Sequence, residues 1–414
     1  MKGQYHQQDD SRELVLRLDR VEVERLVHEE LHRTALSVGA LVVGELIEHE
    51  VRQICGGRRK RSATRKGHRY GSERGFVVLG GQKVRINRPR VRSLDGRREV
   101  ELTIYQRLQQ LEAVDTAVMG RLMRGVSCRS YSEVVETICE SVGLSRSSVS
   151  RSFKRQSEQR VREFFARRFE GQRMLAIFID GVQFKGQTLV VAIGVNENGS
   201  KIVLSVRQGA TENAQVCTDM LEELRERGVS TDSPTLFVLD GSKALRAAVR
   251  RVWGEMAIVQ RCRLHKTRNL RGYVPDTLWP EVLQMLRKAY AEKRAAEANK
   301  RLSTLCKWLD RVAPAAARSL REGLDETLTV LRLGLPPKLV RALVTTNLIE
   351  SPFDRVRSVT RRVTHWTRDM RLRWAISGLI EAECRFIRIS GASEISKLAD
   401  ALDRHQPSSQ DKIA

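Results

Sequence analysis

Two runs of apolar residues in this chain each stop on an aspartate. Met174 to Ile179 (MLAIFI) is followed by Asp180-Gly181, and Leu236 to Leu239 (LFVL) by Asp240-Gly241. A strand that is apolar at every position is covered on both faces. Its first polar residue therefore marks the rim of the sheet, and a following glycine lets the chain turn sharply. Between the two runs, Thr188 to Val195 and Lys201 to Gln208 read as strands joined through Asn196-Glu197-Asn198-Gly199. Gln183 to Gly186 is expected to turn the first strand into the second. Asn213 to Arg227 carries apolar residues at a helical period and stops at Gly228. This order predicts three antiparallel strands, a crossover helix and a fourth strand parallel to the first, which sets Asp180 beside Asp240.

The same pattern organises the rest of the chain. Residues 14 to 54 are helical in period and form either a packed helical hairpin or an oligomerisation surface. Phe76 to Leu79 and Lys83 to Pro89 predict a hairpin, the second strand alternating apolar and basic, after a loop-like or extended basic stretch. Tyr131 to Val142, the turn Gly143-Leu144-Ser145 and Arg146 to Arg155 follow helix-turn-helix grammar, with Val149 and Phe153 among the core positions. Beyond Asp240, Lys243 to Val252 reads as a helix, Ala257 to Gln260 as a fifth strand and Pro275 to Leu339 as an all-helical insertion. A last helix starts at Thr345-Thr346-Asn347 and runs through SPFDRVRSVTRR. Asn347, Glu350, Asp354, Arg357 and Arg361 share one of its faces, and Pro352 is expected in its first turn. The predicted class is α/β: a ribonuclease H-like core with a helical insertion, preceded by helical, basic β-ribbon and helix-turn-helix modules. The expected divisions are 1–55, 56–110, 111–170, 171–274 with 341–390 as the core, 275–340 as the insertion, and a tail over 391–414.

Charge narrows the partners. The chain has 414 residues, 74 Lys and Arg against 50 Asp and Glu, and a net charge of +24, which favours a polyanion. Residues 52 to 107 hold 17 Lys or Arg against 4 acids. Arg58, Arg59, Lys60 and Arg61 are candidate phosphate contacts there. In the second helix of the helix-turn-helix, Arg146, Ser147, Ser148, Arg151, Lys154 and Arg155 are the candidates for base edges and phosphates. No apolar run reaches the length of a membrane span. Met1 to Arg12 is polar and carries no secretory pattern. The 7 scattered cysteines point to a reduced, cytoplasmic setting. Cys262 and His265 have half of a zinc spacing with no second pair at a finger interval, so a supporting role is expected. Their basic neighbours Lys266 and Arg268 suit a phosphate better than a cation.

The order Asp180, Asp240, Cys262-x-x-His265 with Arg268-Asn269, then Asn347-x-x-Glu350 resembles the Mutator-type transposases of bacterial insertion sequences, which are DDE enzymes with a helical insertion between the second and third acids. The resemblance covers roughly residues 70 to 385. It implies a catalytic triad of Asp180, Asp240 and Glu350, with Cys262, His265, Arg268, Asn269 and Asn347 in support. It also implies binding of element ends and target duplex DNA by a homodimer or higher oligomer, in the nucleoid, without a membrane. Three carboxylates suit two Mg²⁺ ions per site, or Mn²⁺ in their place, with Asp180 bridging both. Water would free a 3′-hydroxyl at the element end, and that hydroxyl would attack the target strand. A ribonuclease H-like nuclease or resolvase would account for the acids but has less need of the insertion. A helix-turn-helix repressor or an inactive DNA-binding copy would account for the charge alone. A tyrosine recombinase is disfavoured, because none of the six tyrosines lies beyond residue 290.

Overall fold

A computed structural model describes residues 20–58, 64–79, 81–126, 146–364 and 366–405. It is a mixed α/β protein with two compact units. One holds the described residues of Met1–Met119 and Cys128–Ser152, the other those of Gly120–Ser127 and Phe153–Ala414.

In the first unit, α1 (Arg20–Cys55) is followed by the strands β1 (Gly67–Leu79) and β2 (Gln82–Ser93) and by α2 (Thr103–Leu108) and α3 (Glu112–Met123). The hairpin is longer than its apolar pattern predicts, because β1 takes in Gly67 to Gly75 and pairs out to Ser93, with a bulge between Arg69 and Ser72. Val43, Ile47 and Val51 of α1 form a core with Val77, Val84, Val91, Leu102 and Tyr105. The Glu50 carboxylate accepts the Thr103 and Ile104 amides at 2.7 and 3.0 Å. It thereby satisfies orphan donors at the start of α2 and complements the helix dipole. The predicted first helix at 131–142 and the turn at 143–145 lie outside the described residues. The predicted second helix is real and longer: α4 spans Arg146–Ala166 and buries Val149 and Phe153.

The second unit is built on a five-stranded sheet of order β5-β4-β3-β6-β7. Its strands are β3 (Met174–Phe184), β4 (Gln187–Asn196), β5 (Lys201–Gln208), β6 (Thr235–Leu239) and β7 (Ala257–Arg261). β3, β4 and β5 pair antiparallel, while β3–β6 and β6–β7 pair parallel. The crossovers are α5 (Ala214–Glu226), capped by the Asn213 side chain, and α6 (Lys243–Trp253), capped by Ser242. This is the predicted strand order, with one correction. Asp180-Gly181 does not end its strand, since β3 runs on to Phe184 and turns only at Lys185-Gly186, both at positive φ as in a two-residue hairpin. The antiparallel ladder to β4 outlasts the parallel one to β6, so Asp180 marks where β6 stops.

After β7 come α7 (Arg263–Arg271), α8 (Trp279–Tyr290), α9 (Ala295–Val312), α10 (Pro314–Arg321), α11 (Thr329–Arg332) and α12 (Pro337–Leu343), around their own apolar core. Then follow α13 (Asn347–Val359), α14 (Arg368–Glu383) and α15 (Ile395–Asp403). Three details depart from expectation. Pro352 is the sixth residue of α13, where its ring replaces the amide that would bond the Leu348 carbonyl, so it sits beyond the first turn. Arg361 lies past the end of that helix. The stretch read as a tail contains α15, which buries Ile395, Leu398 and Leu402.

Buried polar side chains join these parts. Arg227, at the end of α5, donates to the carbonyls of Phe164 (2.8 Å), Arg167 (2.8 Å) and Leu204 (2.9 Å) and to Glu223 (3.2 Å). Its removal takes a buried donor from three carbonyls and leaves Glu223 with Arg207 alone. Arg227→Ala is therefore expected to cost about 3 kcal/mol, read as a lower urea midpoint for the second unit. A loss below about 1 kcal/mol, the worth of one ordinary hydrogen bond, would show that these bonds are replaced by water.

Candidate active site

The parallel register pairs Ile179 with Leu239, so Asp180 and Asp240 are the next residues along neighbouring strands, a spacing of roughly 4.8 Å between backbones. Asp180 is 3% exposed, and its Oδ1 accepts the Gly181 amide at 2.8 Å. Burial is the main cause that pushes its carboxyl up, to about 6; the Asp240 carboxylate adds to this, while His265, the Thr346 hydroxyl and the Gly181 amide work against it. Asp240 is held by two donors, the Ser242 amide at 2.8 Å and the Thr211 hydroxyl at 2.7 Å. The Ser242 hydroxyl donates in turn to the Thr211 carbonyl (2.6 Å) and accepts the Leu245 amide (3.3 Å). One short loop thus caps α6 and aims Asp240.

Cys262, His265 and Thr346 meet beside Asp180. The Thr346 amide and hydroxyl lie 3.4 and 3.5 Å from Cys262 Sγ, and the hydroxyl lies 3.3 Å from His265 Nδ1. His265 Nε2 is 3.9 Å from Asp180 Oδ1. Hydrogen bonding to Cys262 raises the imidazole to about 9 against the penalty of burial, helped by Asp180. Burial would raise the Cys262 thiol, but hydrogen bonds from His265 and Thr346 outweigh it and hold the thiol below its ordinary value. The result is a cation facing a buried carboxylate.

Thr346 is also the residue before α13, so the helix that carries Glu350 starts at this cluster. Glu350 is in its first turn, half-buried, and its Oε1 accepts from Arg268 at 3.0 Å. Glu350 is thus drawn to the guanidinium and not to the two aspartates. Among the described residues, no three His, Cys, Asp or Glu side chains are gathered closely enough to hold a metal ion. Asn269 and Asn347 are exposed near the ends of α7 and α13.

The sequence misreads one neighbour of the site. Lys266 is buried, and its ammonium donates to the carbonyls of Ser319 and Glu322, so it closes helix ends and does not face a phosphate. Burial lowers its pKa to about 8, with Arg261 adding to the fall. Arg263 and Gln260 likewise bond the Thr327 carbonyl at 2.9 and 3.0 Å. Three polar side chains of the β7–α7 segment, and Arg261 as a fourth, are therefore spent on docking the helices. Residues that sequence reasoning missed are Thr211, Ser242 and Thr346. Their hydroxyls carry no spacing signal, and only the topology brings them to the acids.

The candidate nucleic-acid contacts are elsewhere. On α4, Ser147, Arg151, Lys154 and Arg155 are exposed and Ser148 is half-buried, its hydroxyl accepting from Arg151 at 3.3 Å. Arg146 opens that helix. Arg58 is exposed just beyond α1, whereas Arg59, Lys60 and Arg61 lie outside the described residues.

Fold and site together define an α/β protein with an acidic pair at a sheet rim, backed by helices. The family profile described as "Transposase, Mutator family" matches residues 9–384, and the chain belongs to that family. It is similar to the transposase for insertion sequence element ISRM5 of Rhizobium meliloti (strain 1021), with 28% identity over 328 residues, 77% of this chain and 80% of the relative. The transposase for IS6120 of Mycolicibacterium smegmatis is 27% identical over 58% of this chain and 74% of its own length. That for IST2 of Acidithiobacillus ferrooxidans is 29% identical over 51% and 70%. Membership makes this a chain of a family that acts on DNA. Among the described residues no helix is long and apolar enough to cross a membrane.

The Asp240 loop depends on two glycines. Gly241 (φ 106°) and Gly323 (φ 61°) flank the buried Arg261 guanidinium, and a Cβ at either would come within 2.4 Å of it. Arg261 Nη1 meanwhile donates to the Glu322 carbonyl at 2.9 Å. Gly241→Ala and Gly323→Ala should each cost about 1–3 kcal/mol through backbone strain and displacement of Arg261. Thermal melting checks this, with Tm expected to fall by at least about 2 °C. An unchanged Tm in both would mean that the loop relaxes freely around a side chain.

Proposed function

We propose that this chain is a DDE transposase that binds the ends of its insertion element, cleaves there, and joins the freed 3′-hydroxyls to target DNA. The observation that carries the reading is the pair Asp180 and Asp240 on adjacent parallel strands, in a member of the Mutator transposase family. The strand order supports a ribonuclease H-like core, with the helices between β7 and α13 as its insertion. The exposed basic side of α4 supports its role as the recognition helix of a helix-turn-helix.

Asp180 and Asp240 fit a hard divalent cation. Both present carboxylate oxygens, and the buried Asp180 is pushed up in pKa next to a second acid, as expected where two carboxylates await a counter-charge. Glu350 would complete the set on leaving Arg268, one turn into a helix that begins at Thr346. When bound, Mg²⁺ supplies the charge that offsets the developing anions of phosphodiester displacement. The protein's own groups prepare that site. Thr211 and the Ser242 amide orient Asp240, the cationic His265 helps to keep Asp180 ionised, and Arg268 holds Glu350 until duplex and cation compete for both partners. Water then attacks an end phosphodiester, leaving a 3′-hydroxyl. That hydroxyl attacks a target phosphodiester, forming one bond as it breaks another.

Asp180→Asn, Asp240→Asn and Glu350→Gln keep size and lose charge. Each is expected to reduce end cleavage and strand transfer by at least about a hundredfold, while binding to element ends stays within about twofold of wild type. Cleavage at the wild-type rate in any one variant would remove that residue from the site. Binding without cleavage in the wild-type protein would identify an inactive copy.

A further inference from the structure

The β1–β2 hairpin has two faces of different character. From Ser72↔Pro89 to Leu79↔Gln82 its register is unbroken, so alternate pairs share a face. Val77, Leu79, Val84 and Ile86 pack with Val43 and Ile47 of α1, and that face is covered. The other presents Arg74, Phe76 and Val78 on β1 beside Asn87, Arg85 and Lys83 on β2.

Three acids around the hairpin are spent on other arginines. Glu48 accepts two bonds from Arg69 at 2.8 and 2.9 Å, Glu73 accepts from Arg88, and Glu99 accepts from Arg90 at 2.6 Å. Between Ser72 and Pro89 the open face contains no Asp or Glu. Arg74 and Arg85 are exposed there, and Lys83 Nζ lies 4.5 Å from the centre of the half-buried Phe76 ring. A solvated charged face usually mixes signs; here no acid between Ser72 and Pro89 shares the face of Arg74, Lys83 and Arg85, and Lys83 lies over an aromatic ring.

We propose that this open face is a contact surface for duplex DNA, with Arg74, Lys83 and Arg85 against phosphates and the two-stranded ribbon lying along the major groove. A groove of that width admits a β-ribbon. Lys83 and Arg85, two residues apart on one strand, stand about 7 Å from each other, and Arg74 faces them from the paired strand. The charge complementarity is not local only, since the whole chain carries +24. The inference rests on the reading of the protein as one that binds DNA, and it adds a surface outside the α4 helix.

The test is equilibrium binding of the full chain to a short labelled duplex of mixed sequence over a salt series. The triple variant Arg74→Ala, Lys83→Ala, Arg85→Ala is expected to lose affinity by at least about tenfold at low salt, and its slope of log K against log salt should be shallower by about 2.7, or about 0.9 per lost phosphate contact. The single variants Arg74→Gln and Arg85→Gln, which disturb the hairpin least, should each flatten the slope by about 0.9, and Arg74→Lys with Arg85→Lys should restore it. Wild-type slope and affinity in the triple variant would overturn the ribbon surface while leaving DNA binding intact. Equal competition by single-stranded nucleic acid would overturn its preference for duplex. Failure of the wild-type chain to bind any duplex would overturn both this surface and the reading it rests on.

Discussion

The parallel pairing of β3 with β6 is the constraint on which the rest of the site depends. Both strands are apolar throughout the paired segment, and no residue of β6 is exposed, so neither has a polar face that would tolerate a shift in register. The register ends at Ile179 and Leu239, and the residue that follows each is an aspartate. Bringing two carboxylates together at the rim of a buried sheet is costly. The surroundings answer it with donors and a cation: Gly181, Thr211 and Ser242 donate hydrogen bonds, and His265 supplies positive charge. Thr346 links this arrangement to α13 and hence to Glu350.

A second set of contacts fixes where the long helical region sits. The segment Gln260 to Lys266 turns from strand into helix and buries Gln260, Arg261, Arg263 and Lys266, whose donors end on carbonyls of Tyr290, Ser319, Glu322 and Thr327. Buried charges are tolerated only when so partnered. Because Arg261 is also wedged between Gly241 and Gly323, the helices and the Asp240 loop share one guanidinium. The helical region is thereby tied to one of the proposed catalytic acids.

Much of this was legible in the sequence, and the exceptions have physical causes. The strand order and the crossover helix that stops before Gly228 follow from periodicity and its breaks. The continuation of β3 beyond Asp180 does not, since Asp-Gly reads as a turn and only the ladder to β4 extends it. Lys266 looked like a phosphate contact because a local reading cannot see the distant helix ends that it closes. The pairing of Glu350 with Arg268 joins positions 82 residues apart and leaves no local trace. The basic run at 52–107 gave charge but not partition; the fold assigns some of its arginines to Glu48, Glu73 and Glu99 and leaves Arg74 and Arg85 on an open face.

The proposed function requires Asp180, Asp240 and Glu350 to share a divalent cation when the protein is on DNA. Iron-directed backbone cleavage tests this most directly: Fe²⁺ replaces Mg²⁺ in the DNA complex, hydroxyl radicals are generated with ascorbate and peroxide, and the protein fragments are mapped by mass spectrometry. Cuts clustered near residues 180, 240 and 350 and suppressed by excess Mg²⁺ are the predicted result. Cuts near 180 and 240 with none near 350, or cuts confined to other parts of the chain, would contradict it.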